Sequence, residues 1–177
     1  GNGACGGAAD WRGEGEEKAA HLDVALGAAW SHLGVQDEGR DVLVGFSRGA
    51  FVARDVAYAR PGRFRALVLI GAALVPDAAR LRASGIRRVV LASGDFDPAR
   101  RTMVRAAAEL TARGIPARFV PLGPIGHALP KDVRGLLRLR VRGDCGMGVV
   151  NGLERGGFGG KDPKELEVPA LLAAQGF

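Results

Sequence analysis

Short aliphatic runs alternate with stretches in which apolar residues recur every three or four positions, and this two-period pattern divides most of the chain into strands and helices. Gly1 to Gly15 is glycine-rich and reads as loop. Glu16 to Leu33 has helical spacing, with Ala20, Val24, Leu26 and Ala28 among its apolar positions and Gly34 as a stop. Asp41 to Phe46 reads as a buried strand. Arg48 to Ala59 follows as a helix with Ala50, Phe51, Ala53, Val56 and Ala57 on its apolar side, closed by Pro61-Gly62. Arg65 to Ala72 is a second strand, and its Ala-Leu-Val-Leu-Ile run is too continuously apolar for a sheet covered on one side only. A short helix near Asp77 to Ala83, a third strand from Arg87 to Ala92, a long helix from Pro98 to Arg113 and a fourth strand from Ala117 to Leu122 come next. A last helix, about Pro130 to Val141, offers Val133, Leu136, Leu137 and Leu139 for burial. Strand and helix alternate throughout, which predicts an α/β fold: a mostly parallel sheet flanked by helices, joined by right-handed crossovers.

The junction between the first strand and its helix carries the chemistry. Gly45-Phe46-Ser47-Arg48-Gly49 has the form Gly-x-Ser-x-Gly on a strand-to-helix turn, where a serine is held in a strained conformation with its hydroxyl exposed. Glycine on either side lets strand and helix pack closely. Without those flanks the motif means little in a chain with 28 glycines, and the plain alternative is a glycine-rich turn with an incidental serine. Downstream, the third strand runs into Gly94-Asp95-Phe96-Asp97-Pro98, which places carboxylates in the loop at its carboxyl end. The fourth strand runs into Gly123-Pro124-Ile125-Gly126-His127-Ala128. Ser47 as nucleophile, Asp97 as acid and His127 as base follow the chain order Ser, Asp, His. Asp95 is the competing acid, and Asp97 could instead cap a helix with Pro98 at its first position. His21 and His32 lie on the amphipathic N-terminal helix and read as surface residues.

With these pieces in place, the stretch from about Asp41 to Arg140 resembles the α/β-hydrolase superfamily, within it the compact carboxylesterase, acyl-thioesterase and dienelactone-hydrolase group. The resemblance implies a serine hydrolase that cleaves a carboxylic ester or thioester through an acyl-serine intermediate. It also implies that the backbone N–H of Arg48 supplies half of an oxyanion hole. The triad does not encode the leaving group, so peptidase and amidase readings stay open. In that superfamily further strands precede the nucleophile strand, and a loop among them supplies the other oxyanion donor. Only 46 residues precede Ser47, and no convincing strand is found in the first 40. The expectation is therefore an N-terminally truncated hydrolase, with Gly1 to Gly7 as the loop after the missing strands and Trp11 beginning the approach to the first helix. The reading opposed to an enzyme is a non-catalytic α/β-hydrolase scaffold or binding protein with an incomplete oxyanion hole. Leu74 to Gly85, where this superfamily often inserts a lid, has room for one short helix, so an open site is expected.

Composition adds bounds. A length of 177 residues suits one domain with a sizeable core, placed at residues 1–142, and the glycine-rich segment 143–177 is expected to be a flexible tail in which Leu166 to Ala174 could form a short docking helix. There is no run of about 18 apolar residues for a membrane span, and no basic segment followed by an apolar one at the start, so no secretory leader is read. Cys5 and Cys145 are solitary, which fits neither a disulfide framework nor a metal knuckle and makes a cytoplasmic setting the default. The net charge of +6 comes with 21 Arg against four Lys, spread along the chain and not clustered with aromatics. That argues for a compositional bias and against a nucleic-acid module. Nucleophile, base and acid are all protein groups, so no metal or organic cofactor is implied, and the expected partner is a small-molecule acyl substrate. A first strand left at the rim of the sheet would favour self-association through that edge.

Overall fold

The computed structural model describes residues 11, 13–34 and 41–131. Within them the elements run α1 (Gly15–Leu33), β1 (Asp41–Phe46), α2 (Arg48–Ala59), β2 (Phe64–Ile70), α3 (Ala78–Ala83), β3 (Arg88–Ser93), α4 (Arg100–Ala112) and β4 (Ala117–Pro121). The four strands form one parallel sheet in the order β1-β2-β3-β4, so each crossover steps one place across the sheet. The expected helix beyond Lys131, the loop before Trp11 and the segment 143–177 lie outside the described residues.

Alternate residues of each strand feed two separate clusters, as a period of two requires. Leu43, Leu67, Leu69, Val89, Leu91 and Phe119 face a large cluster shared with Val52 and Val56 of α2, Leu81 of α3 and Met103 and Leu110 of α4. The intervening residues, Val42, Val44, Val68, Ile70, Val90 and Val120, form a second cluster on the opposite face with Ile125 and Leu129. Burial on both faces is why β2 and β3 read as continuous aliphatic runs.

Some boundaries and faces differ from the sequence reading, each for a local reason. β2 stops at Ile70 and not Ala72, because Gly71 turns to φ +59° and leaves the extended region. α4 starts at Arg100, with Ala99 at the N-cap position, so Pro98 is not its first helical residue. On α1 the buried residues are Ala19 and Leu22, while Ala20, Val24 and Ala28 are exposed, Val24 at 75 %. Apolar residues lie all round this helix, and the face that meets α2 also carries ion pairs from Lys18 to Asp55 and from Arg60 to Asp23. On α2 Val52 is buried, whereas Phe51 is partly exposed with the Arg54 guanidinium over its ring.

Candidate active site

Every sequence-derived site residue sits at the carboxyl ends of the strands, where a parallel sheet gathers its loops. Ser47 occupies the single-residue turn between β1 and α2 with φ +53° and ψ −122°, the sole non-glycine residue with positive φ among those described. Such a conformation costs on the order of 1–3 kcal/mol and persists only where its surroundings impose it. Here the surroundings are specific. The Ser47 N–H donates to the Ile70 carbonyl at 2.8 Å, and the Ala50 N–H donates to the Ser47 carbonyl at 3.0 Å, which pins the turn to β2 on one side and to α2 on the other. A Cβ at Gly45 would lie 2.2 Å from the Gly49 carbonyl oxygen and 2.7 Å from the Ala50 Cα, so the strand and helix approach closely enough to require glycine there.

The acid and histidine loops are joined to each other. Asp95 N–H donates to the Gly123 carbonyl at 2.8 Å and Phe96 N–H to the Ile125 carbonyl at 3.0 Å, extending the pairing of β3 and β4 beyond the strands. A Cβ at Gly94 would stand 2.1 Å from the Ile125 oxygen, so this junction also depends on a missing side chain.

These loops bring the three side chains into one line. The Ser47 hydroxyl donates to His127 Nε2 at 2.8 Å, and His127 Nδ1–H donates to Asp97 Oδ2 at 3.0 Å, the directions following from a carboxylate that can only accept. The Asp97 side chain is 2 % exposed and that of His127 43 % exposed, so the line of hydrogen bonds runs from a dry acid to a partly solvated histidine. The other Asp97 oxygen accepts the Ala99 N–H at 2.8 Å. The turn-forming role and the contact with histidine thus belong to the same carboxylate, one oxygen each. Asp95 does not reach the histidine in this arrangement; it pairs with Arg100 at 3.0 Å near the surface. Arg48 stands at the first position of α2, directly after Ser47, with an exposed side chain. His21 and His32 are exposed on α1, as the sequence reading has them.

Two neighbours of these three side chains went unrecognised in the sequence. The Phe46 ring stacks on His127 with centroids 5.0 Å apart and planes inclined by 27°. Gly71, at the end of β2, lies under the pair: a Cβ there would be 3.1 Å from Asp97 Oδ2, from His127 Cε1 and from Phe46 Cε2. A glycine directly after a strand was the available signal for the second; the first had none, because its partner is remote in sequence. Between β2 and β3 the chain holds only α3, in keeping with the expected absence of a long insertion there. Among the described residues no group of three or more His, Cys, Asp or Glu side chains could hold a metal ion, and no helix is long and apolar enough to cross a membrane.

No protein-family profile matches this chain, and no curated protein matches it. Solved structures do. An esterase from Pyrobaculum calidifontis superposes with a TM-score of 0.52 at 15 % identity, over 72 % of this chain and 59 % of its own. A puromycin-hydrolysing peptidase from Mycobacterium tuberculosis superposes with a TM-score of 0.50 at 17 % identity, over 71 % of this chain and 25 % of its own. Esterase PE8 is 24 % identical with a TM-score of 0.48, over 73 % of this chain and 66 % of its own. The chain therefore spans less than two thirds of the length of these structures. The fold is that of the α/β hydrolases, with the parallel sheet and flanking helices expected from the sequence.

Proposed function

We propose that the chain is a serine hydrolase that cleaves a carboxylic ester or thioester through an acyl-serine intermediate. The observation that carries this reading is the unbroken line of hydrogen bonds from Ser47 through His127 to buried Asp97, built on a serine with strained backbone. A neutral serine hydroxyl is a poor nucleophile, and an imidazole bonded to it makes it competent by taking its proton as it attacks. In the first step Ser47 Oγ bonds to the acyl carbon while its proton passes to His127 Nε2. The carbonyl π pair moves onto oxygen. As that pair returns, the bond to the leaving alkoxide or thiolate breaks and the leaving group takes the proton from Nε2. Water then repeats the sequence against the acyl-serine, releasing the acid and restoring Ser47. Asp97 holds the imidazole with Nδ1 protonated and stabilises the imidazolium that forms in each half.

The backbone N–H of Arg48, at the positive end of α2, is the donor this reading assigns to the developing oxyanion, and one such donor contributes about 3 kcal/mol to the transition state. Two neighbours that share the fold at a TM-score of 0.50 or above are an esterase and a peptidase, so the fold leaves the leaving group open. The solvent-facing histidine and the short connection between β2 and β3 favour small or extended acyl substrates. A cytoplasmic setting belongs to the same reading, on the strength of two solitary cysteines.

The test is turnover of short-chain p-nitrophenyl esters, the matching thioesters and p-nitroanilides by the 177-residue chain, beside Ser47→Ala. Ester or thioester hydrolysis that disappears in Ser47→Ala is the expected result. Anilide hydrolysis without ester hydrolysis would replace esterase by amidase. No turnover of any of them would favour the non-catalytic scaffold.

A further inference from the structure

Hydrogen bonds at Nδ1 and Nε2 fix two points of the His127 ring, and coupled rotation about its Cα–Cβ and Cβ–Cγ bonds can still tilt the ring plane about the line between them. Both bonds lie at the ring's edge, so rolling weakens each one gradually and tilts the Nε2 lone pair away from the serine proton. Contacts on the faces and the Cε1 edge of the ring have to oppose that motion. The hydrogen bonds from Asp95 and Phe96 hold the backbone of the loop that carries His127, and the plane of the ring is left to the contacts of its side chain.

Phe46 and Gly71 occupy those positions. The Phe46 ring covers one face of the imidazole at 5.0 Å and 27°, within the range of favourable aromatic pairs. Phe46 is itself held. It ends β1 in register with Ile70, and its side chain packs into the second sheet cluster, which includes Ile70 and Val68. Gly71 is the point where Phe46 Cε2, His127 Cε1 and Asp97 Oδ2 converge, each 3.1 Å from where a Cβ would stand. Its N–H donates to the Ala92 carbonyl at 2.8 Å, so the Cα is fixed to β3 and cannot withdraw to admit a side chain.

We infer that Phe46 and Gly71 act as a positioning pair for His127: the phenyl face sets the plane of the imidazole, and the bare Cα of Gly71 leaves the space in which Cε1 and the Asp97 carboxylate meet. The inference rests on the reading of Ser47 and His127 as nucleophile and base. It adds that the residue before the serine is chosen for the histidine it supports.

The experiment combines kinetics on a p-nitrophenyl ester with NMR of the imidazole Cε1–H in the 177-residue chain, for wild type, Phe46→Leu, Phe46→Tyr and Gly71→Ala. In the wild type the His127 Cε1–H signal should be displaced from those of His21 and His32, which are exposed on α1. Phe46→Leu should move that signal and lower kcat by roughly 10- to 100-fold with little change in KM, the loss expected of a base displaced by about 1 Å. Phe46→Tyr, which keeps the ring, should restore both. Gly71→Ala should lower kcat in the same sense. Full kcat in Phe46→Leu, or a His127 signal that does not respond to it, would overturn the positioning role. A wild type without turnover but with a signal that responds to Phe46→Leu would count against the hydrolase reading and leave the aromatic contact standing.

Discussion

Asp97 divides its two oxygens between a backbone N–H of its own loop and the histidine, and this division makes a sharp prediction. Asp97→Asn keeps a carbonyl oxygen for one partner and presents an amide to the other, which favours the wrong imidazole tautomer. Turnover should fall by ~10⁴-fold while the chain stays folded. Asp95→Asn removes a half-exposed ion pair with Arg100 and should leave turnover within about twofold, since such pairs contribute 0–1 kcal/mol. Steady-state kinetics and circular dichroism on both variants check this, and a larger loss in Asp95→Asn would reassign the acid. At this scale the placement of Ser47, Asp97 and His127 was legible, because each follows a recognisable strand into a turn. The contacts of Phe46 and Gly71 were not, because they depend on what the fold carries over them from remote segments.

Among the elements, close backbone approach matters more than side-chain interlock at the site. Gly45→Ala would place a Cβ against the backbone of α2, which cannot yield as a flexible side chain does. The expected outcome is a loss of about 1–3 kcal/mol and a thermal transition several degrees lower, measured by calorimetry. α1 and α2 are tied differently, by Lys18 to Asp55 and by Arg60 to Asp23 and Glu16. Partial burial pushes the Asp55 carboxyl up, but the hydrogen bonds from Lys18 and Arg54 outweigh it, and the group titrates below its ordinary range. A folded-state value below the unfolded one means that the stabilisation is complete above the unfolded value, about 3.9, and is lost as pH falls through the folded one. Asp55→Asn should therefore be less stable than wild type at pH 7, by on the order of 1 kcal/mol or less, and the gap should close toward pH 3. Urea unfolding at pH 7, 5 and 3 measures it; a gap that persists at low pH would mean the pair is not what ties the helices. The buried face of α1 was not legible. Its apolar residues surround the helix, and which of them are buried depends on contacts with α2 that are remote in sequence.

In the whole molecule, β1 pairs only with β2 among the described residues, which leaves its other edge without a described partner. Were that edge open in the whole chain, it would favour association with a second copy. Pairing between copies predicts a mass that rises with concentration in sedimentation and falls back in Val42→Lys; a monomer at every concentration would remove that expectation. The mostly parallel sheet and the placement of the serine, acid and histidine loops at the carboxyl ends of its strands were legible as a pattern, because burial on both faces and strand-helix alternation leave few topologies open. The partner of the β1 edge was not, since no local pattern in Asp41 to Phe46 names the strand or surface that would cover it. The central claim is that this fold activates Ser47. It is tested most directly by exposing the 177-residue chain to a fluorophosphonate and mapping the adduct by mass spectrometry. The account predicts one covalent adduct, on Ser47, absent from Ser47→Ala and strongly slowed in His127→Gln. No adduct, or one that survives Ser47→Ala on Ser31, Ser84 or Ser93, would contradict it.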